Sequence, residues 1–173
     1  MATLLNIMKT ILFEKIEAKA EDICDDYFEL SAVHFRALSS LKTKDSIDKI
    51  SDLENLLKEK NYADCTHALC KGYFFEKEDL TIENLNEYEE LFEKGLDETV
   101  NTRELYESAD YCELESMIKN TENEIISLFK DNTETIGVLF DTYGNMNFEL
   151  IRAAFILGCE YRQFGKLIMD THK

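Results

Sequence analysis

The sequence predicts an all-α, single-domain bundle of six or seven helices, and three observations carry that prediction. The 173 residues include no proline and six glycines, and the first 71 run to Gly72 without either strong helix breaker. Apolar residues recur at helical spacing along most of the chain, and nowhere do apolar and polar residues alternate long enough to make a strand. At 45% hydrophobic and 32% charged, the composition is that of a folded globule, and the length suits one domain spanning residues 1–173.

Residues 3–38 read as one amphipathic helix. Leu5, Leu12, Ile16, Ala20, Ile23, Tyr27, Leu30 and Leu38 fall on one side, and Glu14, Glu17, Glu21, Asp25 and Glu29 on the other. Unbroken, it makes a spine of about 50 Å; a kink or break near Glu17–Ala20 is the alternative. His34 projects onto its apolar face and reads as a hydrogen-bonded core histidine. A second helix, about 46–60, starts at Asp45 or Ser46, carries Ile47, Ile50, Leu53 and Leu57 as its stripe, and ends with Lys58 and Lys60 against the helix dipole. A third, about 63–76, holds Cys65, Leu69, Gly72 and Tyr73.

Thr81 caps a fourth helix, "IENLNEYEELFEK", which Gly95 ends; Leu85, Tyr88 and Phe92 face inward. Asn101 and Glu104 form an N-cap and N3 pair for a fifth helix from near 102. That helix changes phase: Leu105, Ala109 and Cys112 share one face, whereas Met117, Ile118, Ile125 and Leu128 share a nearly opposite one. Either it bends near Glu113–Ser116 or its halves bury against different neighbours. Asn132 and Thr133 precede a short helix through Phe140 that ends around Gly144, and Asn145 or Asn147 opens the last helix.

Within that helix, "LIRAAFILGCEYRQFGKLIM" (150–169) is apolar round nearly its whole circumference. Arg152, Gln163, Lys166 and Asp170 leave only a narrow polar strip, while Ala154, Gly158 and Gly165 line a face that lets another helix come close. A helix of this kind belongs in a core.

The five cysteines (Cys24, Cys65, Cys70, Cys112 and Cys159) read as reduced thiols, mostly packed as small apolar groups, in a cytoplasmic protein. The apolar start "MATLLNIMKTILFEK" lacks the basic region and cleavage site of a secretory signal. The longest uncharged run, Ala153–Cys159, is far too short to span a membrane.

Charge is uneven. The chain carries a net −17; residues 1–44 contribute −1, residues 131–173 contribute −2, and residues 45–130 contribute −14. Glu76–Glu124 alone has 17 acids against 4 bases. Such a field repels nucleic acid and membrane surfaces and attracts basic protein surfaces. Tyr88, Tyr106 and Tyr111 interleave with the acids, so carboxylates and rings together can stand in for phosphates and bases in a nucleic-acid groove. The expected partner surface is Glu83, Glu87, Glu90, Glu93, Asp97, Glu98, Glu104, Glu107 and Asp110. The expected partner is a basic protein surface, with homodimerisation as the competing arrangement.

The motifs for chemistry are sparse. Glu87-x-x-Glu90 and Glu107-x-x-Asp110 resemble the ExxE…ExxD signature of all-α nucleoside triphosphate pyrophosphatases, and the resemblance implies four Mg²⁺ ligands at those positions. The nearest candidates for a triphosphate clamp are Lys94 and Arg103. In "CTHALC", Cys65, His67 and Cys70 have no spacing that converges on a helix. Asp64-x-x-His67 lacks the paired motifs of a di-iron bundle. No GxSxG, phosphate-binding P-loop or GxGxxG pattern occurs, and no basic stripe suits direct DNA or RNA binding.

No cofactor is expected and no catalytic residue is assigned, so the expected function is non-enzymatic binding and inhibition. In its size, helical make-up and acidic middle, the chain resembles small inhibitor proteins of phages and mobile elements, anti-CRISPR proteins among them. The resemblance implies that the target is a CRISPR effector nuclease or a similar nucleic-acid-handling protein.

Overall fold

The computed structural model describes residues 2–44, 46–75 and 107–171. Among these, all regular structure is helical, in five helices: α1 (Ala2–Ile23), α2 (Tyr27–Leu41), α3 (Ile47–Phe74), α4 (Ala109–Leu128) and α5 (Thr133–Thr171). The all-α prediction holds; five helices stand where six or seven were expected. The helix capped by Thr81 and the proposed start near 102 lie outside the described residues. No helix among the described residues is long and apolar enough to cross a membrane.

The N-terminal spine is two helices. It breaks at Cys24–Asp26 rather than at Glu17–Ala20. The run Cys-Asp-Asp joins three residues of poor helix propensity, and the chain turns there with the Tyr27 amide donating to the Cys24 carbonyl at 3.1 Å. The inward face survives the turn: Ile16, Ala20, Tyr27 and Leu38 are all buried.

The predicted second and third helices are one, α3. Ser46 is its N-cap residue, but its hydroxyl points back, donating to the Leu41 carbonyl (2.6 Å) and accepting from the Thr43 amide (2.9 Å). It therefore ties the end of α2 to the start of α3. The gap between about 60 and 63, read from sequence as a junction, is helix interior, and Lys60, Asn61 and Asp64 find partners on other helices.

α4 starts at Ala109, where Ser108 accepts a hydrogen bond from the Tyr111 amide at 3.3 Å. It runs through 113–116 without a break. Tyr111, Ile118 and Ile125, seven residues apart, form one buried stripe flanked by Leu114, while Ala109, Cys112, Met117 and Leu128 are exposed. The apparent phase change came from counting Ala109 and Cys112 as inward-facing, whereas both are exposed on α4.

α5 runs 39 residues without interruption, about 58 Å. Gly137 and Gly144 lie inside it with helical backbone, so the break expected at Gly144 is absent and the long spine is C-terminal.

α5 organises the packing: α1, α2 and α3 lie chiefly against it, and α4 lies on α3. Hydrogen bonds from Tyr143 to Leu57 and Asn61, and from Arg162 to Phe75, show α3 and α5 running parallel. Two apolar clusters result. One gathers Ile16, Ala20, Tyr27, Cys65, Ala68, Leu150 and Phe155; the other gathers Leu38, Leu41, Ile50, Leu53, Ile118, Ile125 and Leu139. Every residue from Ala153 to Cys159 is buried, as the sequence implied.

α3 and α5 cross at glycines. A Cβ added to Gly72 would stand 2.0 Å from the Phe155 carbonyl oxygen, and one added to Gly158 would stand 2.2 Å from the Leu69 oxygen. Ala68 and Ala154, one turn before each glycine, are fully buried. The two helices thus meet backbone to backbone.

His34 is hydrogen-bonded as expected, but it is half-buried rather than in the core. Its Nδ1 lies 3.2 Å from the Leu139 carbonyl and 3.3 Å from the Thr142 hydroxyl. Burial, the largest influence, lowers its pKa below the ordinary 6.5, against a raising effect from the Leu139 bond.

Gly158→Leu is expected to destabilise by about 3 kcal/mol or more, because its Cβ meets a carbonyl that cannot yield. Gly144→Ala, with nothing within 4 Å of the new Cβ, is expected to stabilise by about 0.5–1 kcal/mol; urea unfolding of both variants checks the pair. Because the folded pKa of His34 is depressed, its contribution is complete above pH 6.5 and is lost as pH falls through the folded value. Between pH 7 and pH 5 the urea midpoint of the native protein is therefore expected to fall further than that of His34→Gln.

Candidate functional site

Between the two apolar clusters α3 carries a polar layer. The Asp64 side chain is 2% exposed and meets Lys60 Nζ at 2.9 Å. The Tyr111 hydroxyl donates to Asp64 Oδ1 at 2.7 Å, and Asn147 Nδ2 donates to Oδ2 at 3.2 Å. Lys60 also bonds the Tyr111 oxygen and stands 4.9 Å from the centre of that ring. One turn back, the Tyr143 hydroxyl donates to Asn61 Oδ1 at 2.8 Å. A buried carboxylate is tolerable only with such partners. The layer joins α3, α4 and α5 and spans the gap that looked like a helix boundary.

This layer carries no poised nucleophile. Burial, then the charges of Asp64 and Glu17, push the Cys65 thiol up well beyond its ordinary range. Burial likewise raises Cys159 to about 12. Both are protonated and unreactive at neutral pH. Cys65 and Cys159 are buried and Cys24 is half-buried, whereas Cys70 and Cys112 are exposed, so fewer thiols are packed inside than the sequence suggested. In "CTHALC", Cys65 is buried, His67 half-buried and Cys70 exposed; the three splay around α3.

Of the nine acids expected to meet a partner, Glu83, Glu87, Glu90, Glu93, Asp97, Glu98 and Glu104 lie outside the described residues. Glu107 and Asp110 are described, and both are exposed. Glu107 sits in the turn ahead of α4 and Asp110 on its first turn, separated by the Ser108 cap. They are not stacked on one helix face, the arrangement the Mg²⁺ reading needs. Among the described residues no group of three or more His, Cys, Asp or Glu is placed to hold a metal ion.

Asp110 instead borders a cleft of about 1000 Å³ between α1, α3 and α4. Its carboxylates come from three helices: Glu14 and Glu17 on α1, Glu59 on α3 and Asp110 on α4. Phe13, Tyr62, Tyr111 and Leu114 give it an apolar and aromatic wall. Lys9 and Lys58 also line it, and Lys9 Nζ stands 4.4 Å from the centre of the Tyr62 ring. The pKa of Glu17 is raised above the ordinary 4.5, first by burial and then by Glu21 and Glu14.

Sequence reasoning missed this cleft. Glu14 and Glu17 were legible as the polar face of the first helix, but residues 1–44 are nearly neutral in sum. Only the folding of α1 and α3 beside α4 brings those acids to Asp110. Beyond the cleft, Glu113, Glu115 and Glu124 extend the exposed acid of α4, with Glu115 3.7 Å from Lys60 and Glu124 paired with Lys49.

Tyr111→Phe removes the hydroxyl that donates to Asp64 and is expected to cost about 1–3 kcal/mol. Asp64→Ala also strips Lys60 and Asn147 of their shared acceptor and is expected to cost more, about 3–5 kcal/mol; chemical denaturation with retained helical circular dichroism checks both.

Compared with known proteins, the chain matches no protein family, no curated sequence and no solved structure.

Proposed function

We propose that this protein is an acidic, non-enzymatic binding protein that docks on a basic, nucleic-acid-handling partner and inhibits it. A CRISPR effector nuclease, or another nuclease with a basic nucleic-acid channel, is the target that fits the resemblance to phage and mobile-element inhibitors. The observation that carries the reading is the concentration of charge: 17 acids against 4 bases in Glu76–Glu124, out of a chain net charge of −17. Its described part continues on exposed positions, Glu107, Asp110, Glu113 and Glu124. Acid displayed on a folded scaffold competes with a phosphate backbone for the same lysines and arginines, and it gains in association rate through long-range attraction.

A second reading, a helical adaptor or homodimer, has one observation in its favour. Phe28 and Phe35, seven residues apart on α2, are 74% and 66% exposed, and such paired rings suit an apolar interface.

The two separate by salt. Binding to the nuclease partner through the acidic surface is expected to weaken at least tenfold between 50 and 300 mM salt. Charge reversal of Glu83, Glu87 and Glu90 to Lys is expected to abolish inhibition, and reversal of Glu107 and Asp110 to weaken it. A complex indifferent to salt and to all of these reversals overturns the docking proposal. A dimer that persists in high salt and is lost in Phe28→Ser/Phe35→Ser favours the second reading.

A further inference from the structure

We infer that the cleft between α1, α3 and α4 is a receptacle for a short basic segment of a protein partner, one or two arginine or lysine side chains held between carboxylates and aromatic rings. The inference rests on the docking proposal and assigns it an anchor point.

Four features of the cleft agree on that occupant. Its volume, about 1000 Å³, lies at the upper end of small-ligand sites, about 300–1,000 Å³, enough for a pair of side chains rather than one ion. Among the described residues that line it, the carboxylates Glu14, Glu17, Glu59 and Asp110 outnumber the cations Lys9 and Lys58, which disfavours a phosphate or any other anion. Its half-buried rings, Phe13 and Tyr62, offer surface to an aliphatic stem and to the cation at its tip. Finally, the chain supplies its own example. Lys9 already places its ammonium 4.4 Å from the centre of the Tyr62 ring, the position an incoming cation would take.

Lys9 therefore acts as a resident occupant that an incoming basic side chain displaces. The raised pKa of Glu17 accords with this, since a carboxylate crowded by burial, Glu21 and Glu14 gains from a nearby cation.

The test uses the full chain and a capped octapeptide alternating arginine with glycine, titrated by NMR at low salt. The control is the same peptide with citrulline, which keeps the shape and loses the charge. The arginine peptide is expected to shift the Tyr62 and Tyr111 ring signals and the citrulline peptide to leave them in place. Glu17→Gln/Asp110→Asn is expected to weaken binding at least fivefold; Asp52→Asn/Asp131→Asn, an equal charge change at exposed positions outside the cleft, by less than twofold. Lys9→Gln is expected to tighten binding at least threefold, and Lys130→Gln, the same charge change elsewhere, to leave it within twofold. Equal effects of the cleft and control substitutions overturn the receptacle and leave docking by the general field standing. Binding of arginine and citrulline peptides alike also overturns it. If the arginine peptide fails to bind while the native protein still inhibits its target in a salt-dependent way, the receptacle falls and the docking proposal survives. If neither the peptide nor any basic target binds, both fall.

Discussion

The backbone contact between α3 and α5 sets the geometry of everything around it. Gly72 faces the Phe155 carbonyl and Gly158 faces the Leu69 carbonyl, so the contact is reciprocal and leaves no slack on either side. Helices separated by ordinary side chains lie 8–10 Å apart; alanine and glycine at successive turns permit a closer approach. That approach lets short polar groups bridge the pair further along, Asn147 to Asp64 and Tyr143 to Asn61. With α3 and α5 fixed as a unit, α1 and α2 have an apolar flank to lie on, and α4 has the outer face of α3.

The polar layer and the glycine contact have complementary effects. The glycine contact resists a one-turn slip sterically, since a Cβ in place of either glycine meets a backbone carbonyl. A buried carboxylate with three hydrogen-bonding partners on three helices tolerates no such slip, because each mismatch leaves a desolvated charge. The layer also positions Tyr111, which reaches Asp64 with its hydroxyl while its ring forms part of the cleft wall. The acidic cleft is thereby attached to the most constrained part of the fold, the arrangement that keeps a recognition surface preorganised.

Much of this was legible in the sequence, and what was not has a common cause. The all-round apolar stretch at 150–159 announced a core, His34 on an apolar face announced a satisfied histidine, and the inward positions of α1 and α2 followed from period alone. The errors fell on boundaries. Asn61 fell in a gap between two helices because its partner, Tyr143, is distant in sequence. Gly144 looked like a stop because a glycine's cost is local, whereas the packing that overrides it is contributed by other helices. Cys24–Asp26 carried no proline or glycine and broke all the same. The cleft lay beyond reach for the same reason as the polar layer: its acids share neither a helix nor a segment, and only tertiary structure sums them.

The dominance of α5 also bears on how the chain is made. On the ribosome, α1, α2 and α3 emerge first, yet the surface that covers them lies in residues 133–171. At about 5–20 residues per second, the stretch from Phe74 to Thr133 delays that surface by about 3–12 s. Among the described residues, α1, α2 and α3 make few contacts with one another. Among those residues, the apolar faces of the N-terminal helices thus depend for their cover on a segment distant in sequence, the kind of topology that slows folding.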